Sequence, residues 1–104
     1  MSILQKITYI KAAASFDNAQ EAFDDLQSVL TYNVSDSSME SVYRTLENST
    51  TLIEIRMWAP DEYYDYRETR LSGSQNRTNS IYTLLNGGWL VKEEINGEVS
   101  FDNT

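Results

Sequence analysis

The chain of 104 residues has no cysteine, no histidine, one proline and four glycines. Without cysteine there is no disulfide, no thiolate nucleophile, no iron–sulfur ligand and no sulfur-ligated zinc. Without histidine, the usual ligand of zinc, copper and non-haem iron is missing. So are the proximal ligand of a globin-type haem and the base of the common acid–base relays. No run approaches ~18 consecutive apolar residues, so no transmembrane helix is predicted. The opening MSILQKITYIKAAAS ends in small residues, as a signal peptide does, but Lys6 and Lys11 interrupt its apolar part. It reads as a strand, and the protein is expected in the cytoplasm. There is no Gly-x-Ser-x-Gly elbow, and Gly87-Gly88 lacks the lysine and further glycines of a phosphate loop. Together these absences favour binding over catalysis, with no cofactor and no metal.

Positive charge is also scarce. Sixteen acids stand against eight bases, a net charge of −8. Such a chain repels polyanions, so direct nucleic-acid binding and anionic membranes are disfavoured and a basic protein surface is favoured. Solubility is the plainer explanation of the same number, and on charge alone it is the better one.

The length fits one domain, residues 1–104. Ile3–Ala13 is rich in β-branched and aromatic residues and reads as a strand. Phe16, Ala19, Phe23, Leu26 and Leu30 follow helical spacing, and Asn18 with Glu21 makes a capping box. Tyr32–Ser38 reads as a loop. Met39–Leu46 and Leu52–Trp58 alternate as strands across a turn-rich Glu47–Thr50, which predicts a hairpin. In the second strand Ile53, Ile55 and Met57 share a parity opposite Glu54, Arg56 and Trp58, and the apolar trio is assigned to the core. Cross-strand pairing of Arg44 and Arg56 with Glu54 or Glu47 is expected. Pro60-Asp61-Glu62 opens a helix over Pro60–Arg70, a polar edge strand over Tyr63–Leu71 being the alternative. A further helix is predicted over Ser74–Asn86, with Gly87 as its C-cap. Trp89–Ile95 is a strand, and Asn96-Gly97 is a hairpin signal returning through Glu98–Phe101.

This order predicts a ferredoxin-like α+β fold, β-α-β-β-α-β. It has a four-stranded antiparallel sheet, helices on one face and a C-terminal β-hairpin extension. The free sheet face would be partly apolar, which invites a partner or a homodimer.

The candidate recognition surface is the patch Trp58, Asp61, Glu62, Tyr63, Tyr64, Asp65, Tyr66 and Glu68. A helix carrying three tyrosines among four acids has more aromatic surface than its packing requires, so at least one ring should face solvent or a partner. Tyrosine beside carboxylates suits a partner bearing lysine and arginine. The plainer reading, tyrosines packed on the sheet and acids keeping the helix soluble, stands level with it. An acidic metal site at Asp61, Glu62, Asp65 and Glu68 is outweighed by a solvated charged face, since Arg67 and Arg70 supply counter-charge. The expected function is a small acidic non-catalytic interaction module that binds a basic protein surface. A nucleic-acid-binding protein is a candidate partner, by analogy of size and charge with phage-type inhibitors and DNA mimics. Two alternatives stay open. One is a dimeric domain binding a small molecule, as sensor or enzyme, with Tyr9, Met57, Trp58 and Trp89 as liners. The other is a structural subunit of a larger assembly.

Overall fold

A computed structural model of the chain describes residues 2–29, 35–71, 83–84 and 86–99. The strands are β1 (Ser2–Lys11), β2 (Ser41–Asn48), β3 (Thr51–Trp58), β4 (Thr83–Leu84) and β5 (Trp89–Val99), and the helices are α1 (Ala19–Gln27) and α2 (Pro60–Leu71). The protein is α+β: four long antiparallel strands and the two-residue β4 form one sheet in the order β2-β3-β1-β5-β4.

Local chemistry sets the element ends. Asn18 caps α1, its Oδ1 accepting the Glu21 N–H at 2.9 Å, while Glu21 Oε1 accepts the Asp17 N–H at 3.1 Å. The β2–β3 hairpin turns at Ser49-Thr50, where Asn48 Oδ1 accepts both the N–H and the hydroxyl of Thr50. Pro60 begins α2, where a missing N–H costs nothing, and the Ala59 carbonyl accepts the Tyr63 N–H.

Both helices cover one face of the sheet. Under α1 lie Ile7, Tyr9, Leu52 and Trp89, with Ala22 and Leu26 from the helix itself. Phe16 stacks on Trp89 at 5.5 Å, and Trp89 Nε1 donates to Asp25 Oδ2 at 2.9 Å. Under α2 lie Ile3, Met39 and Trp58, packed against Tyr63 and Tyr66.

Three expectations are corrected. First, Ile53, Ile55 and Met57 do not enter the helix-covered core. The β1–β3 register aligns Ile3, Gln5, Ile7 and Tyr9 with Trp58, Arg56, Glu54 and Leu52, and these eight are the buried set. Alternation separates two faces but does not say which one the helices cover. Here the covered face takes the long polar side chains because they satisfy one another. Second, the C-terminal hairpin does not form. β5 runs straight through Asn96-Gly97, paired with Gln5 and Leu4. The ten-residue edge of β1 offers more ladder bonds than a local turn would. Third, the end of the predicted Ser74–Asn86 helix is instead β4, paired with Leu90 and Val91, followed by a 3-10 turn at Asn86–Gly88. The rest of that predicted helix up to residue 82, together with Leu30 and Phe101, lies outside the described residues. The second helix of the fold is Pro60–Leu71.

Candidate functional site

The outward side of α2 is the site the sequence singled out, and the helix sorts its aromatics by position. Tyr63 and Tyr66 are three residues apart and turn inward. Tyr66 stacks on Trp58 at 4.9 Å with planes 20° apart, and Tyr63 meets the same indole edge-on at 6.1 Å. Such ring pairs add about 0.5–1.5 kcal/mol each beyond the area they bury. Tyr64 points the other way. It is 48% exposed, with its ring edge-on to Tyr63 at 5.4 Å. Asp61, Glu62, Asp65 and Arg67 are exposed around it. Glu68 lies on α2, and its side chain is outside the description. Trp58, Tyr63 and Tyr66 are therefore the packed foundation of the patch. Its accessible groups among the described side chains are Asp61, Glu62, Tyr64 and Asp65.

Beneath α2 lies a polar layer that the sequence only half revealed. Glu54 is 1% exposed, and its carboxylate accepts Arg44 Nε at 2.7 Å on one oxygen and Arg56 Nε at 2.9 Å on the other. Arg44 also forks onto Asp36, at 2.7 and 3.2 Å. Gln5, fully buried, accepts Arg56 Nη1 at 3.2 Å and Trp58 Nε1 at 3.0 Å, and its amide donates to Glu94 Oε2, which Asn96 Nδ2 also reaches. The chain of bonds crosses all four long strands. The guanidinium groups also serve as packing surface: Arg44 lies 3.6 Å over the Phe23 ring and Arg56 5.5 Å from Tyr66. Pairing of Arg44 and Arg56 with Glu54 was legible from strand alternation. The part played by Gln5 was not, because its partners are 51 and more residues away.

The charges around the layer respond as this geometry requires. Hydrogen bonds from Arg44 hold the Asp36 carboxyl below its ordinary range, despite a smaller opposing effect of burial. Lys11 and then Trp89 do the same for Asp25. Burial raises the Tyr9 hydroxyl far above its ordinary value, against the pull of Arg56. Arg56 stays charged: burial works against it, and the anionic partners, Glu54 among them, more than compensate.

Other chemistry finds little footing. Among the described residues no group of three or more acidic side chains is placed to hold a metal ion. Nor is any helix among them long and apolar enough to cross a membrane. A shallow open depression of about 600 Å³ beside α1 is lined by Lys11, Phe16, Glu21, Asp24 and Asp25 among others. The liners expected for a small-molecule site do not converge on it. Tyr9, Trp58 and Trp89 are buried in packing, and Met57 stands on the opposite sheet face. Comparison of the chain with protein-family models, with curated proteins and with solved structures returns no match.

Proposed function

We propose that the protein is a small acidic, non-catalytic interaction module that docks the outer side of α2 against a basic protein surface. The observation that carries this reading is Tyr64. It is a half-exposed ring set among exposed Asp61, Glu62 and Asp65, on a helix whose other tyrosines are locked into an aromatic stack. A rigid ring flanked by carboxylates takes lysine and arginine by cation–π contact and ion pairing together. The charge distribution supports the same direction. Of the eight bases, Lys11, Arg44 and Arg56 are engaged in internal ion pairs. A nucleic-acid-binding protein is the favoured partner class, since its lysine- and arginine-rich surface already accepts a polyanion. The fold reading that accompanies this is ferredoxin-like, with Pro60–Leu71 as the second crossover helix, and the expected compartment is the cytoplasm.

The test is displacement of a labelled DNA duplex from a panel of basic DNA-binding domains. The protein should displace the duplex and weaken as salt rises from about 50 to about 200 mM. Tyr64→Ala and the pair Asp61→Lys with Asp65→Lys should abolish displacement, and Tyr64→Phe should retain most of it. These exposed sites change stability by only about 0.5 kcal/mol, so folding does not confuse the outcome. Full displacement by the altered proteins, or none by the native one, overturns the reading.

A further inference from the structure

We infer that the sheet face turned away from the helices is an interface between two copies of this chain. The pairing registers place Tyr43, Ile55, Lys6 and Ile95 in one row across β2, β3, β1 and β5 on that face. Three large hydrophobic side chains are conspicuously exposed among the described residues, and two of them end this row: Tyr43 at 61% and Ile95 at 51%. Ile53 and Met57 stand half-buried in the rows beside it. Single exposed apolar residues are ordinary on any surface, but a contiguous set on an uncovered sheet is not.

Charge identifies the occupant as a second copy. Two molecules of net charge −8 repel over most of their surface. On this face the registers place one base, Lys6, and one acid, Glu93. Register shifts fall at Glu47 on the β2 side and at Lys92 on the β5 side, and both residues are exposed. Opposite charges at opposite edges make the face self-complementary. A two-fold axis parallel to the strands, midway between β3 and β1, sets Tyr43 of one copy over Ile95 of the other. It also sets Ile55 over the stem of Lys6 and Glu47 near Lys92. Such a contact closes at two copies.

The area is just sufficient. Four strands about 4.8 Å apart with side-chain margins span about 20 Å, and seven residues at about 3.3 Å span about 23 Å. That is about 450 Å² per copy, close to the total of about 1,000 Å² at which specific interfaces begin. The dimer is accordingly reversible. It leaves α2, on the other face, outward in both copies.

Sedimentation velocity of the full chain from about 1 to about 200 µM tests this. A monomer–dimer equilibrium is expected, and salt should strengthen it by screening the repulsion between copies. Salt weakens docking through α2, so failure of one proposal is distinguishable from failure of the other. Tyr43→Asp and Ile95→Asp each act twice across the two-fold and should raise the dissociation constant by about 30-fold or more. Glu47→Lys should weaken the dimer, and adding Lys92→Glu should recover it. A monomer throughout the range overturns the inference, as does a dimer that survives both aspartate variants.

Discussion

Replacing Glu54 with alanine isolates the energetic role of the polar layer. The carboxylate is 1% exposed and satisfies two guanidinium groups, at 2.7 Å from Arg44 and 2.7 Å from Arg56 Nη2. Removing it affects the two arginines unequally. Arg44 keeps its fork on Asp36. Arg56, 6% exposed, keeps the Gln5 carbonyl and the Tyr66 ring. A buried charge that loses its counter-ion costs about 3–5 kcal/mol. For a domain whose whole stability is about 5–15 kcal/mol, that is a large fraction. At about 4–8 °C per kcal/mol for a chain of this size, Tm should fall by about 12–30 °C. The matched control is Glu54→Leu with Arg56→Met, which removes both charges, leaves no buried ion unpaired and should recover most of the loss. Urea unfolding followed by tryptophan fluorescence and far-UV circular dichroism measures all of these. Trp58 is a direct reporter, since its indole N–H donates to Gln5 in the same layer. A cost below about 1 kcal/mol for Glu54→Ala, or a double variant less stable than the single, would refute the reasoning.

Two further outcomes follow from the same geometry. Asp25 and Asp36 both have carboxyls held below the ordinary 3.8, so the unfolded chain binds protons first as pH falls. Their contribution is fully present above that value and disappears as pH drops through the lower folded values. The urea midpoint should fall below pH 3.8, and Asp25→Asn with Asp36→Asn should flatten that fall; both carboxylates are partly solvent-screened, so the effect is modest. Gly87 has φ +72°, and a Cβ there would lie 2.9 Å from Val29 Cγ1. Gly87→Ala should cost about 1–2 kcal/mol by the same urea assay, for the left-handed backbone alone.

How legible the fold was depended on the range of the interactions concerned. The α1 cap at Asn18, the β2–β3 hairpin and the start of α2 at Pro60 depend on neighbours within a few residues, and each was readable from spacing and turn chemistry. Asn96-Gly97 obeys the same local rules and still misled, because β1 supplied a competing partner over the full length of β5. The proposed recognition patch was half legible. Spacing alone gathers its residues, but whether a given tyrosine faces in or out depends on where the sheet lies beneath the helix.

The sequence by itself determined the elements, the charge and the excluded chemistries, since these rest on composition and near neighbours. Only the tertiary structure decided which face of β3 is covered. Both parities of Thr51–Trp58 carry large side chains, so alternation is symmetric between them. The tie is broken by Gln5, Arg44 and the rings of Phe23 and Tyr66, brought in from three other elements and from just before or within the helices. They give Glu54 and Arg56 partners on the inner side, and with those partners in place burial of the two charges becomes tolerable. The isoleucines, needing no partners, are left on the outer face, and that is why the protein has an apolar sheet surface at all.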